Sequence, residues 1–384
     1  MMLRLAGILT VCAAVAWVGV VGAAEPSGPV ASPSAADNLL VPFEAEPPEL
    51  RLPAEFEPQK AIVFAPDLRL DGVDGATFAA IFKALENKVR LVAVLPEDYD
   101  LEQFHSAMTS HGVGRDAIRL IRLPYNSSWI RDYGPIFVEN RKRLLAADTE
   151  YRFTTRFDDD RIPAGVASHF HTNATASPLL IEGGNLLSNG KGLCVTTTAV
   201  IRDNSSGFDA KRGHGHDYNE ALVTELMRRH FGCEEVIYLE PLAGEGTSHV
   251  DMFTVFTSAD TVVVGQYHPA VDPVNAELLD RNAERLSSVV VDGRPLRVVR
   301  IPMPTNRDGV WRTYTNVLFA NGTLLVPSYP GVDPEAERAA VEIYRRLLPD
   351  WNVVAIDIST LIRKGGGLHC LAVNVPKSDP MAAE

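Results

Sequence analysis

Four times along the chain a short apolar run turns through polar residues into a second apolar run. Gly134–Val138 passes through Glu139-Asn140-Arg141-Lys142 to Leu144-Leu145, and Asn185-Leu186-Leu187 turns at Ser188-Asn189-Gly190-Lys191 into Leu193–Thr196. Met252–Phe256 turns at Thr257–Asp260 into Val262–Val264, and Asn316–Phe319 turns at Asn321-Gly322 into Leu324–Val326. Polar pairs such as Asn-Gly between apolar runs predict hairpins. Between the hairpins the apolar spacing changes to that of helices. Asn219–Phe231 places Leu222, Leu226 and His230 at i, i+4, i+8, and Pro334–Leu348 opens with a proline suited to a first helical turn. Asn275–Leu286 and Ala76–Leu85 are the other two helix candidates. Each helix leads into a further apolar run: Val236–Leu239, Val353–Ile356, Leu296–Ile301 and Val89–Leu95. The repeated unit is strand, strand, helix, strand, at a spacing of roughly 65 residues, and about five copies fit the chain. Such repeats bury their faces on one another, so the expectation is an α/β domain closed into a ring.

The N-terminus stands outside this pattern. Arg4 precedes an uncharged, mostly apolar run from Leu5 to Ala24, and Gly22-Ala23-Ala24 suits signal-peptidase cleavage. We expect residues 1–24 to be a signal peptide, residues 25–50 a flexible leader rich in Pro, Ala, Ser and Glu, residues 51–378 a single catalytic domain, and residues 379–384 a tail. The competing reading of the first run is an uncleaved membrane anchor. Cleavage implies an exported protein, periplasmic or extracellular, with no further attachment to the membrane.

Charge and cysteine usage narrow the classes. Lys and Arg total 36 against 49 Asp and Glu, a net charge of −13, which excludes a phosphate-coating surface and hence nucleic acid as a partner. The four cysteines, Cys12, Cys194, Cys233 and Cys370, are too scattered for a disulfide scaffold or a zinc site. Cys12 leaves with the signal, and the odd number remaining implies a free thiol. Cys194 and Cys233 are expected to be packing residues.

An unusual polar cluster precedes each first strand. The clusters are Trp129-Ile130-Arg131-Asp132-Tyr133-Gly134-Pro135, Glu182-Gly183-Gly184-Asn185, Ser248-His249-Val250-Asp251, Tyr314-Thr315-Asn316, and Gly365-Gly366-Gly367-Leu368-His369-Cys370. Taken singly each has an ordinary explanation: a cap, a bend, a buried hydrogen-bonded pair, a tight loop. If the copies are related by rotation, however, these positions converge on one cavity holding a thiol, an imidazole, carboxylates and an amide. A thiol beside an imidazole is a nucleophile and proton-transfer pair, and several carboxylates in one cavity call for a cation. His369, one residue from Cys370, is expected to point to the opposite strand face. His214-Gly215-His216-Asp217 is read as a polar loop capping the helix at Asn219 in preference to a metal site.

These motifs, in this order and spanning about Leu52 to Pro376, resemble those of the agmatine deiminase and bacterial, Porphyromonas-type peptidylarginine deiminase family of guanidine-modifying enzymes. The resemblance implies a five-bladed pseudo-symmetric α/β-propeller of strand–strand–helix–strand units. It implies hydrolysis of a guanidino group to a ureido group and ammonia, on a peptidyl or free arginine derivative, through a covalent amidino-thioether, with no metal or other cofactor. By similarity Cys370 is the nucleophile, His249 the acid and base, and Glu182 the carboxylate that orients His249. Asp132 and Asp251 clamp the guanidinium, a planar cation that suits bidentate carboxylates. Trp129 and Asn316 are further pocket-lining candidates.

There are three departures from the family pattern: Asn126-Ser127-Ser128 replaces the more usual Asn-Asp before the tryptophan, a change at Ser248 bears on backbone freedom and not on the chemistry, and the third bears on substrate. Ser248 stands where a glycine usually precedes the histidine. The aromatic Trp-Gly-Gly segment of agmatine deiminases is absent, and the chain reads Asp148–Asp160 there instead. Arg152 and Arg156 in this stretch could hold the carboxylate of a C-terminal arginine, or could pair with Asp158–Asp160. The alternatives to an arginine-derivative deiminase are therefore an agmatine deiminase making N-carbamoylputrescine and, more remotely, a thiol peptidase or a silent guanidinium-binding protein. Oligomeric state is not legible.

Overall fold

In a computed structural model of the chain, residues 49–66, 72–141, 143–205 and 216–378 are described. The signal, leader and tail readings, together with His214 and Gly215, lie outside them, apart from Glu49 and Leu50 at the end of the leader. Among the described residues are five sheets of three or four strands and one small two-stranded ribbon. All five share a motif: an antiparallel pair followed by a parallel partner. Ile136–Asn140 and Arg143–Glu150 are antiparallel, and Asn173–Leu180 joins parallel. Leu187–Ser188, Leu193–Thr197 and Glu235–Leu239 repeat the pattern, as do Thr254–Ser258, Thr261–Gln266 and Arg297–Pro302. Leu318–Ala320, Thr323–Ser328 and Asn352–Asp357 make the fourth copy.

The fifth copy is assembled from both ends of the domain. Ala372–Pro376 pairs antiparallel with Gln59–Phe64, which pairs parallel with Arg90–Leu95 and through it with Ile118–Arg122. Parallel neighbours need a crossover, and helices supply it. Gly72–Leu85, Glu220–Phe231, Pro273–Ser287 and Pro334–Leu347 fill the four predicted positions. Their starts obey local chemistry: Asn219, Asp272 and Asp333 cap by accepting from backbone N–H groups, and Pro273 and Pro334 stand in the first turn. Helices Leu101–Ser110 and Ile162–His169 are additional to the sequence reading.

The middle strands Leu193–Thr197 and Thr323–Ser328 are buried along their whole length, and four apolar clusters form the core; the largest runs from Ile62 and Phe64 to Phe319, Tyr344 and Leu371. Cys194, on a strand, and Cys233, just after a helix, are joined by a disulfide. This corrects the expectation of two separate packing thiols: the link from the helix Glu220–Phe231 to the strand Glu235–Leu239 brings Cys233 to within 5.6 Å of Cys194 between Cα atoms. Among the described residues Cys370 is the free cysteine.

Candidate active site

Each polar cluster occupies a single tight turn or loop directly ahead of the first strand of its sheet. Asp132 is on the short helix Ile130–Tyr133, Glu182 precedes the turn Gly183–Asn185, and His249 precedes the turn Val250–Met252, which carries Asp251. Asn316 lies in the loop before Leu318, and Cys370 sits in the turn His369–Leu371. These turns are latched to one another in sequence. Val250 N–H donates to Asn185 Oδ1 (3.1 Å), Thr315 Oγ1 to the Asp251 carbonyl (3.0 Å), and His369 N–H to Asn316 Oδ1 (2.8 Å). Arg131 Nε reaches the His369 carbonyl at 3.4 Å, and Gly183 packs on the Arg131 carbonyl closely enough that a Cβ would lie 2.3 Å from it. The five latches form a closed cycle.

That cycle gathers the expected chemistry. His249 Nε2 lies 2.7 Å from Glu182 Oε2, and its Nδ1 lies 3.7 Å from Asp132 Oδ1. Gly184 leaves the space between them open: a Cβ there would sit 2.6 Å from His249 Nδ1, 2.9 Å from Asp132 Oδ1 and 3.1 Å from Asp251 Oδ2. Cys370 Sγ is 3.8 Å from Asp251 Oδ2 and accepts from Asn316 Nδ2 at 3.3 Å. Asn316 fits there because Gly367 has no side chain; a Cβ would meet Asn316 Oδ1 at 2.3 Å. Asp132 Oδ1, Asp251 Oδ1, Glu182 Oε1 and His249 Nδ1 are buried with no hydrogen-bond partner. Buried charged groups need pairing, so this set of atoms is shaped for a cationic donor.

The electrostatics follow from burial and proximity. Burial raises the Asp132 pKa to about 7; His249 pulls it down, while Glu182 and Asp251 push it up. Burial alone would lower His249, but Asp132, the hydrogen bond to Glu182 and the Glu182 charge outweigh it and raise His249 to about 9. Burial pushes the Cys370 thiol well up, and Asp251 and Asp132 add to the effect. The pair is thus a neutral thiol beside an imidazolium. The thiolate inferred from the resemblance requires the cation to arrive.

The structure revises several expectations. Arg152 does not pair with Asp158–Asp160; its Nη2 lies 2.9 Å from Glu182 Oε2 and 3.4 Å from Asp203 Oδ2. Arg156 donates to the Tyr151 hydroxyl (3.0 Å) and covers the Phe153 ring, and its charge opposes the burial that raises the Asp159 carboxyl. Asp159, fully buried, instead binds the Asn126 and Ser127 backbone N–H groups and fixes the loop before Trp129. Trp129 packs on Gly366, whose Cβ would fall 2.4 Å from its ring. Ser248 adopts the left-handed backbone, φ 62°, that a glycine would take at lower cost; its N–H is held by Glu245 Oε2. His369 is in a helical turn and not a strand, so the alternation argument fails: its ring bonds Asp251 Oδ2 at 2.7 Å. His216 pairs with Glu150 and stacks on Tyr218. The sequence reading missed Glu55, which reaches His369 and Arg131 from ahead of the first core strand. A carboxylate in Leu52-Pro53-Ala54-Glu55-Phe56 carries no spacing signal.

Comparison with known proteins agrees with this geometry. A Vibrio parahaemolyticus protein provisionally named an agmatine deiminase is 24% identical over 84% of this chain and 96% of its own length. A Streptomyces avermitilis protein of the same provisional name is 29% identical over 72% of this chain and 85% of its own. The crystal structure of a Porphyromonas gingivalis protein, provisionally an arginine deiminase, superposes with a TM-score of 0.72 at 25% identity, covering 86% of this chain and 99% of that one. The agmatine deiminase of Enterococcus faecalis shares the fold, with a TM-score of 0.71 at 22% identity over 86% of this chain and 97% of its own. The profile of the Porphyromonas-type peptidyl-arginine deiminases matches residues 51–376, and the chain belongs to that family.

Proposed function

We propose that this chain hydrolyses the guanidino group of a peptidyl or free arginine derivative to a ureido group with release of ammonia. The observation that carries the reading is the group of unpartnered buried oxygens of Asp132, Asp251 and Glu182 beside His249 and Cys370. A guanidinium offers five N–H donors in one plane, and carboxylates on two sides of it fix its carbon near the sulfur. As the cation pairs with Asp132 and Asp251, the negative charge that opposes ionisation of Cys370 is neutralised and the thiol releases its proton to solvent. The thiolate attacks the guanidinium carbon and forms a C–S bond. His249 gives its proton to the departing nitrogen, the C–N bond breaks, and ammonia leaves a cationic amidino-thioether. His249, now neutral, takes a proton from water as the oxygen adds to the same carbon. The adduct collapses to the ureido group, with expulsion of the sulfur and loss of the hydroxyl proton. Glu182 holds His249 in the charged form for the first half of the cycle.

The five sheets, each opening with a site turn, support reading the domain, residues 51–378, as a five-bladed pseudo-symmetric propeller with the site on its axis. The disulfide supports export and a cleaved signal at residues 1–24, because such bonds persist in oxidising compartments. The agmatine reading rests on the relatives' names. The test is to incubate the purified chain with a dipeptide ending in arginine, free arginine and agmatine, and to measure ammonia and ureido product. Turnover of one of the first two is expected, abolished in Cys370→Ala. Preference for agmatine favours the second reading, and turnover that survives Cys370→Ala overturns the mechanism.

A further inference from the structure

Asp251 is held from behind by a buried chain of charges that the reaction does not use. His369, 2% exposed, has both ring nitrogens against carboxylates: Nδ1 lies 2.7 Å from Asp251 Oδ2, and Nε2 lies 2.8 and 3.0 Å from the two oxygens of Glu55. A neutral imidazole donates to one acceptor; an imidazolium donates to two. Burial and the Arg131 charge oppose that proton, yet Glu55 and the hydrogen bond to Asp251 win and the His369 pKa is raised. Glu55 in turn is clamped by Arg131 Nη1 at 2.7 Å, and Arg131 Nη2 is fixed by Asn374 Oδ1 at 2.7 Å. Against the penalty of burial, Arg131 and His369 hold the Glu55 carboxyl down to about 2.

The segment that delivers Glu55 is itself fastened on both sides. Arg51 pairs with Glu57 and Glu139, and the Leu52 carbonyl accepts from Ser188 Oγ. Glu55 also lines a cavity of about 60 Å³ with Leu52, Gln59, Arg131 and Asn374. With Oδ2 occupied by His369, Asp251 has one oxygen, Oδ1, left buried and unpartnered for a ligand.

We propose that His369 is a positioning residue: anchored by Glu55, it fixes the rotation of the Asp251 carboxylate so that Oδ1 faces the guanidinium. The substrate named here rests on the deiminase reading. Its expected signature is loss of guanidinium affinity, because Asp251 grips the substrate before and during the chemical step.

The test uses the full chain with His369→Ala, His369→Asn, His369→Gln and Glu55→Gln. Kd for agmatine and for an arginine-terminated dipeptide is measured in a Cys370→Ser background, and kcat and KM in the Cys370 enzyme. An asparagine amide nitrogen falls near the position of Nδ1 and a glutamine's near Nε2, so Asn restores the bond to Asp251 and Gln does not. His369→Ala and His369→Gln should weaken Kd roughly 10- to 100-fold, as loss of one charge-assisted hydrogen bond implies. His369→Asn should recover most of that loss, and KM should rise more than kcat falls. Glu55→Gln should weaken Kd several-fold alone and add nothing in the His369→Ala background. Equal effects of Ala, Asn and Gln, additivity of the two sites, or a lowered thermal midpoint with Kd unchanged would overturn the proposal, as would no binding of either ligand. An unsubstituted chain that binds a guanidine yet forms no ureido product sinks the deiminase reading alone, and the Kd series still judges His369.

Discussion

Arg152 and His249 share a single oxygen: Glu182 Oε2 is 2.9 Å from Arg152 Nη2 and 2.7 Å from His249 Nε2. The guanidinium of Arg152 thereby offsets part of the negative field that Glu182 casts on the cavity, and it pulls the Asp132 pKa down. Replacing Arg152 with Met should raise that pKa and move the acid limb of kcat/KM to higher pH, with the loss shared by every guanidino substrate. If Arg152 instead binds the carboxylate of a C-terminal arginine, the loss will appear as a KM increase for arginine-terminated peptides and leave agmatine untouched. Steady-state profiles with both substrates separate the two.

Two titrations should bound the activity. Asp132, raised to about 7, is neutral below that pH and cannot pair with a cation, so kcat/KM rises with pH through it. His249, raised to about 9, loses above that pH the proton needed by the leaving nitrogen, so the rate falls again. The profile should be a bell between roughly 7 and 9, whose two limbs belong to a coupled pair and to neither residue separately. Bound guanidinium stabilises ionised Asp132, so the acid limb of kcat should lie below that of kcat/KM. A flat profile across this range would argue against the assignment.

Two glycines keep the reacting groups in reach. Gly184→Ala would place a methyl group among His249, Asp132 and Asp251, in the space the substrate needs. Gly367→Ala would drive Asn316 away from Cys370. Misplacement on this scale costs on the order of 100-fold in rate, and both variants should retain the near-ultraviolet circular dichroism of the parent. Unchanged kcat/KM in either would show that the empty space is not the reacting space.

The disulfide should matter to stability and not to catalysis. Closing a loop with a sequence separation of 39 stabilises by roughly 3–4 kcal/mol on the chain-entropy account. Cys194→Ala with Cys233→Ala should therefore lower the denaturant midpoint while kcat/KM at 25 °C stays within about twofold, because neither residue approaches the charge cluster. A reductant should produce the same shift in the parent. A large drop in kcat/KM without a change in midpoint would contradict this.

The hairpins and four of the helices were legible because alternation and i, i+4 spacing are properties of neighbouring residues. Cys370, His249, Asp132, Asp251, Glu182 and Asn316 were legible because each precedes the same strand of its unit, so that rank in the repeat predicted place in space. What lay hidden was whatever the repeat does not encode. Glu55 sits in a leading segment with no counterpart in the other units, and its partner His369 is over three hundred residues away. The pairing of Cys194 with Cys233 depends on how the helix end packs back over the neighbouring strand, which periodicity does not fix. His369 was misplaced by treating the Cys370 turn as a strand, and for Arg152 the two readings weighed, a substrate carboxylate and Asp158–Asp160, left out the acids it meets across the fold, Glu182 and Asp203.

The pairing of Ala372–Pro376 with Gln59–Phe64 has a consequence for synthesis. Cys370, the proposed nucleophile, stands immediately before the last strand among the described residues, and that strand joins a sheet begun by Gln59–Phe64. During elongation the early carboxylates and the imidazole are in place along the chain long before the thiol exists. An N-terminal fragment therefore holds an incomplete charge cluster and no nucleophile, and competence arrives in one step when the two ends meet. Contacts so far apart in sequence form slowly as a rule, so Cys370 is expected to join the charge cluster late in folding.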